Sequence, residues 1–198
     1  MENIEKLKYL INKAEYSKAY DLSYQLLKKD KKSYILYNLL GIVNIHISKY
    51  DEAILNFREA IKLNRNFFDP HNNLGQAYFK KGKLDLAIEN YKNALSINKN
   101  SYIVYTNLAK IYYLRKEFSN SFECLNKSLA IEPSFEESLN LLREFLILRL
   151  RFSQANKNLY EPIINLIIKQ QLVQPKYIAH SVVNLLKRDN DLVELIYK

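Results

Sequence analysis

With 198 residues the chain is long enough for one ordinary domain or a short solenoid, and a hydrophobic share of 48% excludes a disordered chain. Only 3 Gly and 4 Pro leave few places for turns, which argues for long helices with short connections and against a sheet. The net charge of +9 invites a nucleic-acid reading, but the lysines are scattered. Lys28, Lys29, Lys31 and Lys32 fall at one turn and Lys80, Lys81 and Lys83 at another, as solvated turns do, and no phosphate track is expected. The joint abundance of Lys, Asn, Ile and Tyr fits an AT-rich genome better than a selected basic face.

The start, Met1-Glu2-Asn3-Ile4-Glu5, is acidic and has no apolar run, so no secretory signal is expected. The first hairpin is expected at residues 3–13 and 16–29, with Leu7, Leu10 and Ile11 facing Tyr16, Ala19, Leu22 and Leu26. The second uses Tyr37, Leu40, Gly41 and Asn44, then Tyr50, Ala53, Ile54, Phe57, Ala60 and Ile61, with Asp51 at the positive start of its second helix. The third opens at Asp69-Pro70, places Leu74, Ala77, Tyr78 and Lys81 at helical spacing, and breaks at Gly82. Its second helix carries Leu84, Ala87, Ile88, Tyr91, Ala94 and Leu95. The fourth runs from Tyr102 to about Leu114 and from Ser119 to Ile131, stopping before Pro133.

Beyond Pro133 a helix is expected from Glu136 to about Arg151, carrying Leu139, Leu142, Phe145 and Leu146. Residues 153–159 read as a polar connection. Amphipathic stretches follow at Ile163–Leu172 and Tyr177–Leu186, with a last apolar patch at Leu192–Ile196. Leu139, Leu142, Phe145, Leu146, Ile164 and Ile167 are expected to cap the fourth hairpin, because an uncapped stack exposes an apolar face. The most apolar run, residues 145–150, is too short to span a bilayer, so no membrane insertion is expected.

A shift of 34 residues aligns Leu40-Gly41 with Leu74-Gly75 and Leu108-Ala109. It also aligns Ala19, Ala53, Ala87 and Ser121, then Leu27, Ile61, Leu95 and Leu129. A period of this length with paired helices marks a stacked solenoid. With Leu74, Gly75, Tyr78, Ala87, Tyr91 and Ala94, the chain resembles the tetratricopeptide repeat (TPR) family over residues 1–135. The family's first-helix tryptophan is replaced by Tyr37, His71 and Tyr105, and its closing proline survives only at Pro133. The resemblance implies an all-α, right-handed solenoid with repeats at about 1–33, 34–67, 68–101 and 102–135, followed by a capping or extension region at 136–198.

The resemblance also implies that first helices line a concave groove that binds a protein or peptide partner. Transferred by register, the groove residues are Asn38 and Ile42, then Asp69, Asn72, Asn73, Gln76 and Phe79, then Ile103, Thr106, Asn107, Lys110 and Tyr113. In similar arrays asparagines at the place of Asn73 and Asn107 form a ladder along a peptide backbone, since an amide both donates and accepts. The lysine- and arginine-rich clamp of the chaperone-binding subclass is not expected, because its positions hold Asn38, Ile42, Asn73, Ile103 and Asn107, of which only Asn73 fits. Related bacterial arrays continue into methyltransferase or glycosyltransferase domains, which leaves an enzyme's scaffold as the alternative reading.

No catalytic constellation is legible. No two glycines lie closer than Gly75 and Gly82, so no phosphate-cradling loop is present. His46, His71 and His180 lack metal-ligand spacing, and no cofactor is expected. His71 reads as a packing residue and His46 as a groove-rim residue. Most of the 16 tyrosines read as core, whereas Tyr113 falls on the inner surface. The single Cys124 reads as an inert, partly buried thiol, compatible with a cytoplasmic protein.

Overall fold

A computed structural model describes residues 2–147. Among them are nine helices and no strand. They pair as α1 (Glu2–Asn12) with α2 (Tyr16–Lys29), α3 (Tyr34–His46) with α4 (Tyr50–Leu63), α5 (Phe68–Lys80) with α6 (Leu84–Ile97), and α7 (Tyr102–Leu114) with α8 (Phe118–Ile131). The ninth, α9 (Glu136–Ile147), packs on α8 and α7. The chain divides after Asn100 into two compact units. In the first, α3 touches both α1 and α5, so first helices lie side by side.

The backbone repeats as faithfully as the side chains. Each hairpin turn contains one residue in the left-handed region, at Ala14, Ser48, Gly82 and Lys116, spaced 34 apart. The amide after each reaches back five residues: Glu15 N–H to Leu10, Lys49 to Asn44, Lys83 to Tyr78 and Glu117 to Tyr112, at 2.8–2.9 Å. This is the Schellman arrangement, which caps orphan carbonyls at a helix end. Glycine tolerates the conformation at Gly82; the other three residues adopt it at a cost.

Between hairpins a second device recurs. Side-chain oxygens of Asp30, Asn64, Asn98 and Glu132 accept the N–H two residues on, from Lys32, Asn66, Asn100 and Ser134, at 3.0–3.2 Å. Such turns redirect the chain without proline. They account for the loss of the family proline at Arg65 and Lys99. Ser33 and Ser101 then accept N–H bonds from Leu36 and Val104, capping α3 and α7.

Close packing within hairpins follows one paired rule. A Cβ built on Gly41 would lie 2.4 Å from the Phe57 ring, and one on Gly75 would lie 2.7 Å from the Tyr91 ring. Both glycines exist because an aromatic side chain fills the space. In the fourth hairpin the same two positions hold Ala109 and Leu125, both fully buried. In the first they hold Leu7 and Ser23, also fully buried. The larger the residue on one helix, the smaller its counterpart. Ala53 and Ala87, expected at close contacts, have no exposed surface.

The first hairpin forms the expected core. Leu7, Leu10 and Ala19 cluster with Leu36, Leu39 and Val43 of α3, and Ile11, Tyr16, Leu22 and Leu26 pack against them. In the second unit Ala109, Phe122, Leu125 and Leu129 cluster with Leu141 and Leu142 of α9, with Leu139 alongside. Leu139 and Leu142 thus pack against the fourth hairpin. The expectations for Phe145, Leu146, Ile164, Ile167 and everything after Ile147 lie outside the described side chains, as does His180.

Candidate functional site

Helical spacing puts Asp69, Asn72, Asn73 and Gln76 on one face of α5, and α3 lies beside that helix. The Asn73 amide nitrogen donates to Asn38 Oδ1 on α3 at 3.0 Å. The Asn72 amide nitrogen donates to Asn73 Oδ1 at 3.4 Å. Three carboxamides thus form a chain that crosses from α5 to α3. Asn38 is 4% exposed, so its amide is largely consumed inside the protein. Asn72 and Asn73 are half-buried, and Gln76 is open to solvent.

Phe79 is half-buried at the far end of α5, and Ile42 packs partly against the core of the first hairpin. Asp69, in the first turn of α5, is exposed and has no ion-pair partner among the described residues. Burial of its surroundings still pushes its carboxyl above the usual carboxylate range. A helix N-terminus favours the charged form, but here the lost hydration outweighs it.

The second unit treats its candidates differently. Ile103 is 43% exposed on α7, and Asn107 is half-buried. Lys110 is tied to Glu137 of α9 by a charge-assisted hydrogen bond. Tyr113 packs edge-on against Phe118 at 6.0 Å between ring centres and joins the rim of the core, so the expected inner-surface aromatic is partly a packing residue. Thr106 has no exposed surface at all, which corrects its assignment to an open wall. Its hydroxyl lies 2.8 Å from Ser128 Oγ and 2.6 Å from Ser138 Oγ, and it donates to the Tyr102 carbonyl at 2.9 Å. Ser128 and Ser138 are themselves 2.8 Å apart, and both are fully buried.

That hydroxyl cluster was not foreseen from the sequence, although a signal existed. Ser121 and Ser128 stand where the third repeat has Ala87 and Ala94. A serine at a buried alanine position needs an internal partner. Ser121 finds one in the Ala109 carbonyl, at 2.7 Å.

The sequence matches one family under two descriptions: TPR repeat, over residues 47–82 and 75–116, and tetratricopeptide repeat, over residues 102–135. Residues 47–135 make this a tetratricopeptide-repeat protein. Among solved structures the TPR protein is similar to the crystal structure of the APC/C hetero-tetramer Cut9–Hcn1, at 24% identity and a TM-score of 0.68. That match covers 71% of this chain and 28% of the other, so the chain spans little more than a quarter of that relative. It is also similar to a crystal structure of MamA, at 18% identity, covering 91% of this chain and 96% of that one, with a TM-score of 0.67. The first TPR of Spaghetti (RPAP3), bound to the HSP90 peptide SRMEEVD, matches at 22% identity over 58% of this chain and 90% of that one, TM-score 0.55. These likenesses establish the all-α TPR fold. No curated protein matches by sequence.

Several other polar groups of the TPR protein have structural partners, whereas Asn44 Oδ1, His71 Nδ1 and Asn126 Oδ1 are buried without one. His46 is exposed and stacks on Tyr16 with ring centres 4.4 Å apart. His71 Nε2 is 3.1 Å from the Arg65 carbonyl, which sets it as the donor. Cys124 is partly buried beside the second core. Asp51 bonds Lys81, whose ammonium holds its carboxyl below the usual range. Tyr78 accepts a bond from Arg58 at 2.6 Å, joining α5 to α4. Among the described residues no three His, Cys, Asp or Glu side chains come together as a metal site, and no helix is long and apolar enough to cross a membrane.

Proposed function

We propose that this TPR protein is a non-catalytic scaffold that binds an extended polypeptide segment on the inner faces of its first helices. The observation that carries the reading is the amide chain Asn38–Asn73–Asn72, with Gln76 exposed beside it. Carboxamides on a half-open surface suit a ligand backbone, which offers donors and acceptors alternately. Phe79 and Ile42 are the neighbouring apolar groups for its side chains. In the second unit Ile103 and Asn107 play the same parts, Lys110 and Tyr113 flank them, and Thr106 serves the interior. Residues 136–198 are assigned as the capping or extension region, on the strength of Leu139, Leu141 and Leu142 in the second core. The cytoplasm is the proposed location.

The charge pattern favours polypeptide over nucleic acid. The inner faces hold few cations, and Lys110 is already paired. Asn73→Ala combined with Asn107→Ala is expected to weaken partner binding by about 1–3 kcal/mol while the helical fold is kept, with a lower melting point because the buried Asn38 Oδ1 loses its donor. The measurement is isolation of a partner from extract followed by calorimetry with purified components. Equal affinity for the double variant contradicts the amide-based mode. Recovery of RNA alone, lost at high salt, contradicts the polypeptide reading.

A further inference from the structure

We propose that the inner face of the first unit selects a segment carrying an arginine or lysine, whose cationic group is received by Asp69. The inference rests on the polypeptide reading above and specifies the ligand's chemistry. Asp69, Asn72, Asn73 and Gln76 occupy positions i, i+3, i+4 and i+7 of α5, so the carboxylate stands in line with the amides. A ligand backbone laid on those amides passes within side-chain reach of it.

In a chain with a net charge of +9, local cations are plentiful, and about half of the described acids use them. Glu5 pairs with Lys8, Asp51 with Lys81 and Glu59 with Lys62. Asp69 pairs with none of the described cations. The cation on its own helix face, Lys80, lies eleven residues along, about 16 Å at the helical rise.

The helix start alone explains an acid in the first turn. It does not explain an acid placed on the amide-bearing face, where desolvation raises the free energy of its charged form. An arriving guanidinium or ammonium offsets that penalty and gains a charge-assisted hydrogen bond. An acidic segment meets repulsion at the same spot, so the site discriminates by sign.

The test uses a random-peptide phage library selected on the full 198-residue chain, followed by fluorescence polarisation with the resynthesised peptides. The enriched peptides are expected to share an arginine or lysine at one position. Asp69→Asn is expected to weaken them about tenfold, and Asp69→Lys to remove binding, with helical content unchanged in both. Enriched peptides without a shared basic position, or undiminished binding to Asp69→Asn, overturn the selectivity. If Asn73→Ala still weakens those peptides, the inner-face reading survives and only the role of Asp69 falls. If neither variant changes binding, or no peptide is enriched, both fall.

Discussion

The two units solve one packing problem with different chemistry. At the fifth position of a first helix, the second repeat has Asn38 and the fourth has Thr106; Asn38 reaches α5 and Thr106 reaches α9. Asn38 is itself buried but meets Asn73, which stays half-buried, so the contact extends toward the surface. Thr106 meets Ser128 and Ser138 in a cluster with no exposed surface, because three short hydroxyls close on one another. A polar residue at this register is therefore not by itself a ligand contact. Its partner decides whether the contact closes inside or reaches the surface.

The largest expected effect separates the packing of the two units. Gly75→Ala forces a Cβ against the Tyr91 ring and is expected to cost about 1–3 kcal/mol in thermal or urea unfolding. Adding Tyr91→Leu reproduces the Ala109–Leu125 pairing of the second unit and is expected to recover part of the loss. No recovery would show that the glycine rule is not a matter of side-chain volume.

Next is the hydroxyl cluster. Thr106→Val keeps the shape but leaves Ser128 and Ser138 one partner short, at an expected cost of about 1–2 kcal/mol. Asn38→Ala, whose partner Asn73 can turn to water, is expected to cost less. Equal losses would erase the contrast between a closed and a half-open polar contact.

Smaller gains are expected at the turns. Ser48→Gly and Lys116→Gly relieve a left-handed backbone and are each expected to stabilise by up to about 1 kcal/mol, whereas Gly82→Ala destabilises. Unchanged stability in all three would mean that the turns tolerate side chains without strain.

The smallest effect is a pH dependence at Asp69. Its folded carboxyl is raised above the unfolded value, so its charged form disfavours folding, and this contribution worsens as pH rises through the folded pKa. Asp69→Asn is therefore expected to be slightly more stable than the wild type at neutral pH, with the gap closing in acid. Asp51 behaves oppositely, since its carboxyl is lowered by Lys81; its contribution is lost as pH falls through its folded pKa. A less stable Asp69→Asn would assign that carboxylate a structural role.

The hairpins were legible because the Leu-Gly pair recurs at 34 residues and helix boundaries follow it. The left-handed turns were legible only at Gly82, since Ala14, Ser48 and Lys116 carry no preference for that backbone. Which inner-wall candidates would stay open was not legible. Adjacent helical residues such as Thr106 and Asn107 diverge by about 100° around the axis, so a small rotation against the next hairpin buries one and exposes the other. That rotation is set by long-range packing, here by α9 resting on α7 and α8.

Site-specific photocrosslinking tests the central claim most directly. A benzophenone side chain is placed at Gln76, exposed on the amide-bearing face of α5, or at Leu55, 65% exposed on the second helix α4. In cells producing either variant, crosslinks to a polypeptide are expected from position 76 and not from position 55. Crosslinking from position 55 with none from position 76 would place the partner on the wrong side of the repeats and contradict the account.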